Sequence, residues 1–397
     1  MEPVIPQKRN AEDEIKIKQE TPTLKPAPPP PPPRTTLVNK FQPYISYKPI
    51  DFTTFEPTKI DSTQIPGFHT IEDIPLNTRR GFQYSACSPN PLLPILKFGT
   101  TDLPPYRPSL SLFDRSSETL LSPDASSVST PRGWVSSRVD VPITSGKVYW
   151  EFNILNSDND SDAHVRIGVG RREASIEAPV GFDGYGYGIR DKTGQGVHLS
   201  RLRNFMEGGF HTGDVIGVVL ELPEVANDNK FVDVVRDQIA IRYRHRLYWE
   251  KFDYVSTEKM DHLLNPVIVF GERAVPDLNP WKPDTLPGSK LKIYKNGEFI
   301  GVAFEDLYDF NPPHSELKTN NKRKEDIHNN NGTLGYYPTI SVFKKGVAEI
   351  NSGPEFKYKP QDLDPDVVDL YDIYNQRIAD DTVWDIIDEI EAEFTIS

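Results

Sequence analysis

The chain carries one cysteine, Cys87, in 397 residues, and that scarcity excludes two kinds of protein at once. A single thiol closes no disulfide framework and builds no cysteine zinc site within one chain, which fits a reducing compartment, cytosol or nucleus. No apolar run approaches the ~18 residues needed to cross a bilayer, and no Arg/Lys-led apolar stretch opens the chain, so neither membrane insertion nor secretion is expected. The eight histidines are scattered, with no two within a helical turn, so no His-x-x-x-His zinc motif exists. Gly-x-Ser-x-Gly and Gly-Lys-Ser/Thr motifs are also missing. The run Gly184-x-Gly186-x-Gly188 continues with Ile189 and Asp191 rather than a third spaced glycine, and reads as a Gly-rich strand or loop edge instead of a dinucleotide site. No catalytic, metal-binding or cofactor-binding residues are assigned, and an enzyme on this scaffold would need an acid, base or nucleophile cluster that the sequence does not display.

What the chain has is unevenly distributed. The net charge is −13, yet residues 361–397 hold twelve Asp or Glu against the single Arg377, which leaves about −2 for everything before them. The acidity belongs to a tail, and the body is free to carry basic patches. Residues 1–79 are expected to be disordered and Pro-rich, with polyproline II character at Pro28–Pro33 and possible anchoring aromatics at Phe41, Tyr44, Tyr47, Phe52 and Phe55. The folded body is expected over 80–360, with polar insertions near 223–230 and 311–333, and the acidic tail over 361–397.

Within the body the period is two. Val148, Trp150, Phe152 and Ile154 alternate with Tyr149, Glu151 and Asn153, as a strand with one buried face requires. Val165, Ile167 and Val169 alternate with Arg166, Gly168 and Gly170 in the same way. Val215–Leu222 is apolar almost throughout, as in a central strand, and Asn296-Gly297 supplies the pair that a tight hairpin needs at its two positive-φ positions. Many short strands separated by turns predict an all-β protein, an antiparallel β-sandwich.

Four segments carry a resemblance: Gly133-Trp134, Gly146-Lys147-Val148-Tyr149-Trp150-Glu151-Phe152, Arg166-Ile167-Gly168-Val169-Gly170 and Ala178-Pro179-Val180-Gly181-Phe182-Asp183. They resemble the SPRY (B30.2-like) domain of the Ash-two-like and fungal Bre-two family, non-catalytic subunits of the Set-one (COMPASS) histone H3 lysine-4 methyltransferase complex. The likeness runs in order over roughly two thirds of the chain, and nothing matches the zinc finger and winged-helix region of the metazoan members. It implies a pocket for an acidic segment of a β-propeller subunit of Swd-one or Rb-binding type, at Trp134, Arg166, Pro179, Phe182 and Arg190. Trp134 and Phe182 stand where tyrosine is usual in the metazoan proteins, which puts any phenolic hydrogen bond there in doubt. Guanidinium suits such a site because its planar fork grips carboxylates and stays charged.

Two further features stand out in the residues themselves. Arg242, Arg244 and Arg246 alternate with Ile241, Tyr243 and Leu247, which would place all three on one strand face, solvated or touching nucleosomal DNA or an acidic partner. Val383, Ile387, Ile390 and Phe394 recur at i, i+4, i+7 and i+11, the stripe of an amphipathic helix over 382–394 that Trp384 and Ile386 widen. Thr382 or Asp381 is placed to cap it, and the acids are expected to face water on the opposite side. The resemblance implies that this helix binds a Dpy-thirty-type dimer (Sdc-one in yeast). Taken together, the resemblance implies a nuclear scaffold and activator, partnered with a SET-domain methyltransferase subunit, with no cofactor of its own. The alternative is a SPRY recognition module in another complex, such as a ubiquitin-ligase adaptor.

Overall fold

A computed structural model describes residues 58–77, 81–88, 98–100, 106–158, 162–224, 238–244, 246–270, 273–310, 316–317 and 332–396, with Leu96 and Asp102. The proline run, the proposed anchoring aromatics and most of the two polar insertions lie outside the described residues. The strands that matter below are, in chain order, β1 (Leu110–Arg115), β2 (Val135–Val139), β3 (Gly146–Asn156), β4 (His164–Gly170), β5 (Gly186–Arg190), β6 (Gly196–His198), β7 (Arg201–Arg203), β8 (Val215–Leu222), β9 (Lys290–Lys295), β10 (Glu298–Glu305), β11 (Tyr337–Phe343) and β12 (Val347–Asn351). One sheet ends in the order β12-β3-β8-β9-β10, with β10 at its edge. The other is ordered β7-β6-β5-β4-β11-β2-β1. Nearly all pairings are antiparallel, and the two sheets enclose the core as a β-sandwich.

Side-chain alternation builds that core. Val148, Trp150 and Phe152 of β3 are fully buried, as are Val165, Ile167 and Val169 of β4 and Ile340 and Val342 of β11. The hairpin from β9 to β10 turns on Asn296 (φ 50°) and Gly297 (φ 84°), with Lys295 opposite Glu298. Both residues adopt the left-handed conformation that the turn demands.

The structure departs from the sequence expectation in three places. The body does not begin near Arg80: strands Lys59–Asp61 and His69–Ile71 join the first sheet, and Ile65, Ile71 and Ile74 are buried. Three-residue strands are too short to show a period. Nor is β3 buried on one face only. Tyr149, Glu151 and Asn153 are buried too, because Phe356, Leu363 and Val367 pack over the far side with Tyr149 and Tyr294. Glu151 accepts from the backbone N–H groups of Lys357 (2.9 Å) and Tyr358 (2.8 Å), and from Asn351 Nδ2 (3.0 Å). A buried carboxylate is tolerable only with partners of this kind.

The third correction concerns the tail. Residues Val367–Asp369 run parallel to the start of β3, and a helix then extends over Leu370–Ile396, beginning twelve residues before the expected 382–394. Its opening turns carry buried Leu370 and Tyr374, so tertiary packing starts a helix that a 13-residue amphipathic segment would not start alone. Thr382 is accordingly inside the helix, its hydroxyl donating to the carbonyl of Ile378 at 2.9 Å rather than capping. No helix among the described residues is long and apolar enough to cross a membrane.

Candidate partner-binding site

The site begins with register. Arg166 on β4 lies directly opposite Arg190 on β5, and paired residues in an antiparallel ladder share a face, so two guanidinium groups sit side by side on the outer face of the second sheet. The next pair on that face is Gly168 opposite Gly188. A Cβ on Gly188 would lie 2.4 Å from the carbonyl oxygen of Val180 and 3.0 Å from Cδ of Arg166. The glycine therefore lets the 178–183 loop and the Arg166 stem lie flat on the sheet. That is what the Gly186-x-Gly188 spacing accomplishes here.

The loop is itself fixed. Phe182 N–H donates to Pro179 C=O at 3.0 Å with Gly181 at φ 84°, a turn that requires glycine at its third position. Ser136 Oγ donates to the Ala178 carbonyl (2.6 Å), and the Val180 N–H donates to Ser341 Oγ (2.9 Å). These two serines, on β2 and β11, carry no signal in the sequence, since buried serines in strands look like any other small residue. Trp134 lies 5.3 Å beneath the Arg166 guanidinium and stacks on Phe343, ring centroids 5.4 Å apart, which in turn stacks on His164. Tryptophan gives the strongest cation–π platform, so Trp134 orients Arg166 by its ring face and needs no phenolic group.

The two arginines are poorly compensated. Arg166 Nη1 donates to Val180 C=O at 3.2 Å, while its buried Nε–H has no hydrogen-bond partner among the described residues. Among the described residues the Arg190 side chain reaches only Gln195 Oε1, at 3.4 Å. Neither forms an ion pair among the described residues. Burial, with the neighbouring Arg190 charge, lowers the Arg166 pKa to about 10, and the group stays cationic at neutral pH. Contrast the buried Asp114 cluster, whose Arg138 lies on the same face of the sheet. There Arg138 chelates Asp114 at 2.7 and 2.9 Å and Arg172 chelates Asp253 at 3.0 Å through both nitrogens. Burial alone would raise the Asp114 carboxyl, but Arg138 and Arg172 prevail and hold it at about 2. The same residue type is thus saturated by carboxylates inside the fold and left without them at the surface. Such an arrangement can accept an anion. Of the other proposed pocket residues, Pro179 is half-buried and Phe182 is exposed.

The structure does not bring Arg242, Arg244 and Arg246 onto one face. A hairpin joins strands Gln238–Tyr243 and Arg246–Phe252, with Arg242 opposite Leu247 and Tyr243 opposite Arg246. Arg242 and Arg246 therefore sit on opposite faces, Arg244 is in the turn at φ 44°, and Arg246 is bound to Asp73 at 2.8 Å. Period-two counting failed because the turn lies inside the counted run.

The helix divides its residues by face. Leu370, Tyr374, Asp385 and Glu389 are buried against the body, and Asp385 accepts from the backbone N–H (2.6 Å) and hydroxyl (3.1 Å) of Thr100. The acids at 385 and 389 thus face the protein, contrary to the expectation that they face water. Trp384 turns toward the cleft beside Thr100 and Arg377 and does not widen the stripe. Val383, Ile390 and Phe394 remain exposed on the other side, at 55, 43 and 79%, with Ile386 and Ile387 half-buried.

Residues 147–225 match the SPRY domain. A Schizosaccharomyces pombe protein named Set1 complex component ash2 is 40% identical over 355 residues, 87% of this chain and 52% of that protein. The COMPASS component cclA of Colletotrichum higginsianum is 32% identical over 421 residues, 87% of this chain and 73% of its relative. The COMPASS component BRE2 of Saccharomyces cerevisiae is 32% identical over 460 residues, covering 82% of this chain and 89% of BRE2. The chain spans about half the length of the fission-yeast protein.

Proposed function

The chain belongs to the family of SPRY-containing Set1 and COMPASS components that includes ash2, BRE2 and cclA, and on that premise we propose that it is a non-catalytic scaffold and activator of a nuclear histone H3 lysine-4 methyltransferase complex. In this reading the active site and methyl donor belong to the SET-domain subunit. The chain holds a β-propeller subunit through an acidic segment seated on Arg166 and Arg190, with Trp134 as platform and the Pro179–Phe182 turn as wall. A small helical dimer of Dpy-thirty type covers the stripe formed by Val383, Ile387, Ile390 and Phe394.

One observation carries the proposal: two register-paired guanidinium groups without an ion pair among the described residues, one with an unpartnered buried N–H. An unsatisfied buried donor costs about 1–3 kcal/mol, more when charged, and a carboxylate arriving there removes that cost. Reconstitution of the methyltransferase with and without the chain tests the reading. Activity on histone H3 should rise when the chain is added and should not rise with the Arg166→Ala, Arg190→Ala chain. The chain alone should neither bind S-adenosylmethionine nor methylate H3; stoichiometric binding of that cofactor by the isolated chain would refute the proposal.

A further inference from the structure

The row of residues that begins at the arginines does not stop there. Arg166 pairs with Arg190, Arg190 N–H donates to the Gln195 carbonyl at 3.0 Å, and Gln195 Nε2 donates to Asn204 Oδ1 at 3.2 Å. Thr193 Oγ1 also donates to Gln195 Oε1, at 3.0 Å, which steadies the middle of the row. A line of hydrogen-bonded residues therefore runs from the pocket across the sheet to Asn204, the residue that follows its last strand. That strand, β7, has β6 on one side and no neighbour on the other among the described residues. Arg201, Leu202 and Arg203 are all exposed, Leu202 at 54%.

From this continuity we infer that the acidic partner segment crosses from the pocket along the Arg190–Gln195–Asn204 row and adds itself as an extra strand to the open edge Arg201–Arg203. The inference rests on the pocket reading above. Three inter-strand spacings separate β4 from β7, about 14 Å, which four or five extended residues bridge. The edge also specifies its occupant. Arg201 and Arg203 share one face and Leu202 takes the other, the face shared with Val197 and Gly188. Strand addition therefore selects a segment whose acids alternate with an apolar residue, the acids beside Arg201 and Arg203 and the apolar side chain over Leu202. A second copy of this edge would set arginine against arginine, so the same charges that admit an acidic strand exclude self-association. Arg201 spends one N–H on the Leu263 carbonyl at 3.0 Å, which fixes its direction without neutralising it.

Amide hydrogen exchange on the full chain, alone and with the β-propeller subunit of a Set1-type complex, tests the inference. Amides of residues 201–203 should slow by at least about tenfold in the complex. The pair Arg201→Glu, Arg203→Glu should weaken binding about tenfold, as expected for rim charges turned repulsive, with the chain still folded. Unchanged exchange at 201–203, alongside abolished binding by Arg166→Ala, Arg190→Ala, would overturn the strand-addition inference and leave the pocket reading standing. Normal binding by the Arg166→Ala, Arg190→Ala chain would overturn both.

Discussion

The arginine pocket and the C-terminal helix expose opposite chemistries. The pocket is part of a rigid sheet and displays charge that the fold elsewhere neutralises; the helix lies against the body and displays apolar surface that the fold elsewhere buries. In each case the surface displays a type of side chain that the core pairs or buries. The difference teaches how each surface should respond to conditions. Ionic attraction weakens with salt, whereas apolar burial does not.

The largest effect should come from the pocket. Arg166→Ala with Arg190→Ala should reduce affinity for the β-propeller subunit at least about a hundredfold, since truncating one member of a buried charge pair costs about 2–5 kcal/mol. Calorimetric titration measures this, and an unchanged melting temperature shows that the domain persists. The helix pair Ile390→Glu, Phe394→Glu should abolish capture of a Dpy-thirty-type dimer, each side chain forfeiting about 1.5–3 kcal/mol of burial, and should leave the pocket interaction alone. Raising salt from about 0.1 to 0.5 M should then weaken the first interaction and spare the second. If both respond alike, the contrast between the two surfaces is broken.

A smaller effect sharpens the division within the helix. Asp385→Ala removes the acceptor of the Thr100 N–H and should cost about 1–3 kcal/mol of stability in denaturant unfolding, with little change in dimer capture, because Asp385 faces the body. Deleting residues 380–397 would confound the two roles, so point substitutions are the cleaner test.

An effect absent at neutral pH concerns acidification. His198 is buried between Tyr187 and Tyr308, and burial lowers its pKa from 6.5 to about 4. The unfolded chain takes up that proton below 6.5 while the folded chain does not until about 4, so stability should fall as pH drops through this window. His198→Asn, whose amide can replace the Nδ1–H donated to the Gly186 carbonyl, should flatten the dependence. An equal slope in wild type and variant would assign it to other groups.

Much of the fold was legible because its strands are long. Val148 to Ile154 and Val165 to Val169 display their period openly, and Asn296-Gly297 announces its hairpin. The second buried face of β3 was not legible, because Glu151 is made acceptable there by N–H groups two hundred residues away. Asp385 and Glu389 misled for the same reason: a carboxylate reads as solvated unless its donor is known. Of the site, Arg166 stood out by alternation, and its pairing with Arg190 came only with strand register. Ser136 and Ser341, which pin the loop that walls the pocket, gave no sign.

The helix that follows Asp369 is 27 residues long, about 40 Å of nearly inextensible rod at ~1.5 Å per residue. Its root is stitched to β3, the strand that carries Trp150 in the core, through Val367–Asp369 and the residues that Glu151 holds. It is a rod rooted beside a core strand and pinned to the body again at Asp385, which accepts from Thr100. Any partner that gripped the stripe near Phe394 would therefore be held at a span and bearing dictated by this chain, and one seated on Arg166 would be surveyed against the same fixed point.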